Sequence, residues 1–367
     1  MSRRGRPVAM EQRRTRIPHS SPVCCEADVA EGLEAVAQAE MRARLGRQAR
    51  FAAADVPGCV AFDWGGDLRA LLKLQTVQAV YLLERFAVAR PRALLGDEHF
   101  RRLLALCETA RRLHPAGAFK TFAISAAGSD SAVMVRLKNE LARRMALSAA
   151  EESDLLVRLR PTPAGTGSGG WDALVRLSPR PLATRAWRVC NFEGALNGAV
   201  AHAIVRLTRP TSRDTFLNIA CGSGTLLIER LAAGPARQAI GCDIDPRALG
   251  CARRNISAAG AAEPVALVRA DGCALPLPDR CVDALCADLP FGHLVGSHAE
   301  NVRAYPQILR EAARVARAGA RFGLITHEAR LMEQLLADAA SLWRIEQMLR
   351  VELGGLHPRV FVLQRVD

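Results

Sequence analysis

The run Asn218-Ile-Ala-Cys221-Gly222-Ser223-Gly224-Thr225 sets two glycines and several small polar residues where a strand-like segment gives way to a helical one. Glycines at such a junction let the backbone turn tightly and approach a ligand, beside a helix N-terminus whose dipole end is positive. The third glycine of a dinucleotide fingerprint is missing, and Leu227 stands in its place. Asp243 follows 19 residues after Gly224, with Ile244 next to it. A carboxylate there suits two hydrogen bonds from ribose hydroxyls. Asp271-Gly272 closes a third strand-like run and suits either an adenine amino group or an ordinary turn. Asp245 before Pro246 reads as a helix N-cap with proline at the first helical position. A fourth run ends in Asp288-Leu-Pro290-Phe291-Gly292, a polar, a rigid and an aromatic position that, taken alone, reads as a strand-ending turn. Together these residues point to a nucleotide-type ligand held at consecutive strand ends.

Such residues converge only if the right elements carry them. From Asn197 onward, strand-like runs at 215–220, 238–242, 265–270, 282–287 and 321–326 alternate with helical patterns at 225–232, 246–259, 301–316 and 328–342. That alternation predicts a doubly wound α/β domain around a parallel sheet. Two last strand-like runs, 343–352 and 359–366, are too close for a crossover and must form an antiparallel hairpin. The front half reads as two α+β units. The first has a helix at 28–45, strands at 59–64 and 70–74 and a helix at 76–86. The second has helices at 99–113 and 131–145 and strands at 121–126 and 155–160. The Pro/Gly-rich run 161–170 reads as a linker or a hairpin loop.

A length of 367 residues suggests two or three domains, and the balance of 50% hydrophobic to 24% charged residues is that of a globular chain. The longest uncharged run, 215–228, is too short to span a bilayer, which takes ~20 residues. The Arg-rich N-terminus lacks the apolar core of a secretory signal, so a cytoplasmic protein is expected. The net charge is +13, and all the basic residues but Lys73, Lys120 and Lys138 are arginine. A basic surface favours polyanions, although a general abundance of Ala, Arg and Gly would produce the same charge. Eleven cysteines without a C-x-x-C pair predict reduced, buried thiols, and no metal site is indicated.

In order, residues 218–225, Gly241-Cys-Asp-Ile-Asp245, Ala270-Asp-Gly272 and 288–292 resemble the motifs of class I S-adenosylmethionine-dependent methyltransferases. The last resembles the Asn/Asp-Pro-Pro-Tyr/Phe motif of enzymes that methylate exocyclic amino groups of nucleobases, with Leu289 replacing the first proline. Glu31–Glu40, the twin α+β layout and Arg185-Ala-Trp-Arg188 further resemble THUMP-domain RNA methyltransferases. The resemblance implies an α/β fold: a Rossmann-like class I methyltransferase domain, seven-stranded with a terminal antiparallel hairpin, preceded by ferredoxin-like and THUMP units. The expected division is a disordered basic tail (1–25), a ferredoxin-like domain (26–96), a THUMP domain (97–162), a linker (163–196) and the methyltransferase domain (197–367).

It also implies S-adenosylmethionine as cofactor, held by Asn218, Cys221, Gly222, Ser223, Gly224, Thr225, Asp243, Ile244, Asp271, Gly272 and Asp288. Asp288, Pro290 and Phe291 would be catalytic. An exocyclic amino nitrogen is a poor nucleophile because its lone pair is delocalised into the ring. A carboxylate at Asp288 and the carbonyl next to Pro290 would accept its N–H bonds, and Phe291 would stack on the base. The implied substrate is tRNA, methylated on guanine N2 near the acceptor end, with Arg136, Lys138, Arg185 and Arg188 as phosphate contacts. A monomer is expected. The alternatives are an rRNA guanine-N2 or adenine-N6 target, a non-catalytic tRNA-binding protein, and a nicotinamide-dependent oxidoreductase.

Overall fold

A computed structural model describes residues 22–52, 56–163, 169–261, 265–290 and 297–366. Two sheets organise them. The first comprises β1 (Val23–Asp28), β2 (Ala49–Phe51), β3 (Cys59–Trp64), β4 (Ala79–Phe86), β5 (Thr121–Ala126), β6 (Ser148–Ala149), β7 (Leu155–Pro161) and β8 (Trp171–Arg176), with α1 (Glu34–Leu45), α2 (Asp97–Arg111) and α3 (Ala132–Met145). Its order is β2-β3-β1-β4-β8-β7-β5-β6. The expected pair of α+β units therefore shares one continuous sheet, joined where β4 runs antiparallel to β8.

This sheet departs from expectation in five places. Residues 23–25, read as part of the tail, begin β1 and pair with β3; residues 1–21 lie outside the described residues. The helix expected from residue 28 begins only at Glu34. The strand expected at 70–74 is a short 3₁₀ helix, Leu68–Lys73, capped by the Asp67 carboxylate on the Arg69 N–H. The helix expected at 76–86 is instead β4, whose apolar run is buried on both faces, Val80, Leu82 and Phe86 in one cluster and Ala79, Tyr81 and Leu83 in another, and so lacks the alternation of a half-buried strand. The segment read as a linker supplies β8. Pro161 faces Trp171 and the Thr162 N–H bonds the Gly170 carbonyl, so the strands flanking residues 164–168 form a hairpin.

The second sheet comprises β9 (Thr215–Ile219), β10 (Gln238–Asp243), β11 (Val265–Arg269), β12 (Val282–Asp288), β13 (Ala316–Thr326), β14 (Trp343–Arg350) and β15 (Arg359–Arg365). Its order is β11-β10-β9-β12-β13-β15-β14, parallel except for β15, which runs against both neighbours. Helices α4 (Gly198–Leu207), α5 (Thr225–Ala232), α6 (Pro246–Ala259), α7 (His298–Val315) and α8 (Ala329–Asp338) cover it. Strand order reverses at β9, which pairs with β10 on one side and β12 on the other. That reversal opens a crevice at the carboxyl ends of the strands.

One hydrophobic cluster runs from Cys25 in the first sheet through α4 to Val360 in the second, so the two halves share a core. No helix among the described residues is long and apolar enough to cross a membrane.

Candidate active site

The β9–α5 turn is shaped by alternating left-handed residues: Ala220, Gly222 and Gly224 have φ of 48°, 53° and 83°. Glycine is needed twice over at 224, since a Cβ there would also press on the Ala252 Cβ at 3.2 Å. The turn leaves the Gly222 N–H pointing at Asp243, whose Oδ2 accepts it at 2.8 Å, while Oδ1 accepts the Asp245 N–H at 2.9 Å. Both carboxylate oxygens are thus fixed, and each retains acceptor capacity for a ligand. Asp245 caps α6 through the Arg247 N–H at 2.8 Å, as its place before Pro246 predicts.

Ala220, Gly222, Asp243 and Asp245 wall a cavity of about 270 Å³, together with Phe192–Leu196, Asn218, Cys221, Ser223, Thr225, Ile244, Asp288, Leu289 and Pro290, whereas Gly224, expected among the cofactor contacts, lies off this wall against Ala252. Ile244 is 63% exposed, an apolar side chain left uncovered beside Asp243. Asn218 is fully buried and ties β9 to β12 by donating to the Cys286 carbonyl at 3.2 Å. Among the described residues, three cavity-wall atoms are buried without a hydrogen-bond partner: Asn218 Oδ1, Ser223 Oγ and Asp288 Oδ1. Buried polar atoms nearly always find partners, so these three on one wall stand open to a polar ligand or to water. Burial pushes the Asp288 carboxyl from 3.8 up to about 8.

Sequence expectation and geometry part at several residues. Asp271 is exposed and absent from the cavity wall; its Oδ1 accepts the Cys273 N–H at 2.9 Å, which is the turn role. Gly272 next to it also lies off the wall, packed toward Ile219. Phe291 and Gly292 lie outside the described residues.

Arg185 is not free for phosphate. Its Nε reaches Glu229 at 2.7 Å, and its terminal nitrogens reach the Gln75 and Leu182 carbonyls at 2.7 Å each. It is a strut between the halves, because a buried guanidinium must satisfy its donors internally. Arg188 likewise donates to the Leu196 carbonyl at 2.7 Å and to Thr225 Oγ1 at 3.2 Å, so it braces the cavity wall. Arg136 is exposed and lines a groove between α2 and α3, and Lys138 is half-exposed on α3.

Cys190 and Cys251 form a disulfide, contrary to the expectation of reduced thiols throughout. It pins the segment before Phe192 to α6, and Asn255 reinforces it by bonding both the N–H and the carbonyl of Cys190. Among the described residues, one group of possible metal ligands comes together, Glu26, Asp28 and Cys59. Arg160 and Arg158 already occupy its two carboxylates.

Two contributions have no counterpart in the sequence reading. Phe192–Leu196, read as linker, forms one wall of the cavity. Asn301 and Tyr305 of α7 both donate to the Pro290 carbonyl, at 3.1 and 2.6 Å. Their i, i+4 spacing on one helix face was the available signal.

A parallel sheet with this order, a reversed penultimate strand and a ligand crevice at its strand ends defines the Rossmann-like class I methyltransferase fold. Residues 185–359 match the model of the family UPF0020, described as RMKL-like, methyltransferase domain. The solved structure of TrmN from Thermus thermophilus superposes with a TM-score of 0.71 at 25% identity, covering 94% of this chain and 100% of that one. "tRNA (guanine(6)-N(2))-methyltransferase THUMP3" of Mus musculus is 32% identical over 182 residues, 46% of this chain and 36% of the relative. "tRNA (guanine(6)-N2)-methyltransferase" of Thermus thermophilus is 31% identical over 193 residues, 52% of this chain and 56% of the relative. The chain thus spans between about a third and a little over half of these curated relatives.

Proposed function

We propose that the protein transfers a methyl group from S-adenosylmethionine to the exocyclic N2 of a guanosine in tRNA. The observation that carries this reading is Asp288 Oδ1, a buried acceptor without a partner, on the wall of the strand-end cavity. The names of the relatives supply the target atom and the substrate class. The wall fits the cofactor: glycine-shaped backbone, orphaned acceptors, and the Asp243 carboxylate beside an uncovered Ile244. S-adenosylmethionine supplies, when bound, an electrophilic methyl group.

The chain's own residues do the rest. Asp243 accepts ribose hydroxyls with its remaining lone pairs, and Asn218 and Ser223 offer further polar contacts. Ionised Asp288 accepts one N–H of the amino group, stabilises the positive charge that develops on nitrogen, and receives the proton that nitrogen sheds. The Pro290 carbonyl is already engaged by Asn301 and Tyr305, so the Leu289 carbonyl is the acceptor assigned to the second N–H. Phe291 is proposed as the base-stacking face. The front sheet is proposed to comprise the ferredoxin-like and THUMP units that grip the acceptor end, with Arg136 and Lys138 among the phosphate contacts.

The test is to incubate the protein with labelled S-adenosylmethionine and undermodified tRNA or, separately, rRNA, and to identify the labelled nucleoside. N2-methylguanosine from tRNA is expected. Label in another nucleoside, or only from rRNA, contradicts the proposed target.

A further inference from the structure

Asp288-Leu289-Pro290 is held from behind by a chain of hydrogen bonds whose direction is fixed. A carbonyl only accepts, so Tyr305 must donate its single proton to the Pro290 oxygen at 2.6 Å. Thr326 Oγ1 lies 2.8 Å from the Tyr305 oxygen and must therefore be the donor of that pair. Thr326 in turn accepts the Glu328 N–H at 3.0 Å. The order is Glu328 N–H to Thr326, Thr326 to Tyr305, Tyr305 to Pro290, each bond polarising the next. Asn301 spends one amide proton on the same carbonyl at 3.1 Å and the other on Glu328 Oε1 at 3.4 Å. Asn301, Tyr305 and Thr326 are all buried, and none of them lines the cavity. On the near side, the Leu289 N–H bonds the Ile325 carbonyl at 3.1 Å, a bond that a proline at this position would forbid.

We infer that Tyr305, Asn301 and Thr326 are positioning residues for methyl transfer, a clamp that aims the Asp288 carboxyl and the Leu289 carbonyl at the substrate amino group. The inference rests on the transfer reading above. Leu289 lacks the fixed φ of a proline, and the clamp supplies that rigidity through the β13 backbone and the α7 side chains. Its residues touch neither cofactor nor base, so their loss should slow the chemical step without weakening ligand binding.

Tyr305→Phe removes only the hydroxyl, and Thr326→Val removes the donor behind it. Each is expected to lower kcat ~10- to 100-fold, the scale of a misplaced reacting group. KM for tRNA and affinity for S-adenosylhomocysteine should stay within about twofold of wild type, since both contacts lie outside the clamp. Thr326→Ser, which keeps the hydroxyl, is expected to restore turnover. Wild-type kcat in both Tyr305→Phe and Thr326→Val overturns the clamp, as does a loss of turnover matched by a loss of S-adenosylhomocysteine affinity. If either of those two variants fails to fold, the other and Asn301→Ala carry the same comparison. A wild-type protein that binds S-adenosylhomocysteine but methylates no RNA overturns the transfer reading instead, which keeps the two failures distinct.

Discussion

At the scale of single residues, the site turns on a carboxyl placed where water does not compensate it. Asp288 ends β12 with one oxygen buried and unpartnered, and its pKa rises to about 8. If ionised Asp288 accepts the substrate proton, kcat/KM should climb with pH and level off above about 8. The same shift has a stability consequence of opposite sense. A folded-state pKa above the unfolded 3.8 favours the fold fully below about pH 4, and that contribution is lost as pH rises to about 8. Asp288→Asn removes this penalty, so its melting temperature should exceed wild type at pH 7 and approach it near pH 4. For a chain of 367 residues a gap of about 1–1.5 °C corresponds to each kcal/mol recovered. Asp243 has the complementary role. Asp243→Ala deletes the anchor of the Gly222 N–H and the proposed ribose acceptor, and S-adenosylhomocysteine should bind ~10- to 100-fold more weakly by calorimetry. Affinity equal to wild type would contradict the ribose assignment. Both residues were legible because motif order fixed their places at strand ends. Tyr305 was not, because a motif names what faces the ligand and the clamp lies behind it.

At the scale of elements, the legible ones carry their own boundaries. Helices α5 and α6 match their sequence limits to the residue because Gly224, then Asp245 with Pro246, start them, and Gly260 in the left-handed conformation ends α6. Strand β4 hides in a doubly buried apolar run. Strand β8 hides for another reason: it lies within the stretch 163–196 expected as a linker, and its Asp172 is fully buried and bonded by Thr162 Oγ1 at 2.8 Å. A single sequence does not reveal the partner that makes such a charge tolerable. The same applies to Arg185, whose partner Glu229 lies 44 residues away and also bonds His202 at 3.0 Å. Arg185→Ala would leave Glu229 beside His202 without its guanidinium, and urea denaturation should show a loss of about 3–5 kcal/mol. A loss within 0.5 kcal/mol would contradict the strut. The disulfide belongs to this scale too, because it closes a loop of 61 residues between the cavity wall and α6. Cys251→Ala should cost about 2–4 kcal/mol. Alkylation of the non-reduced, denatured protein should label the nine free cysteines and spare Cys190 and Cys251.

At the scale of the whole molecule, two sheets share one core, and Arg185 and the Cys190–Leu196 segment connect the front sheet to the cavity. Net charge +13 was legible at once, but its distribution was not. Arg185 and Arg188 spend their charge inside the fold, whereas Arg136 keeps its own at the surface. Composition counts arginines without saying which are already paired. What joins the scales is the claim that this architecture serves to present a desolvated Asp288 to a substrate amino group. Measuring methyl transfer to undermodified tRNA by Asp288→Ala, beside its affinity for S-adenosylhomocysteine, tests that claim most directly. Transfer reduced at least ~100-fold with affinity within a few-fold of wild type is the predicted result. Transfer at the wild-type rate would contradict it.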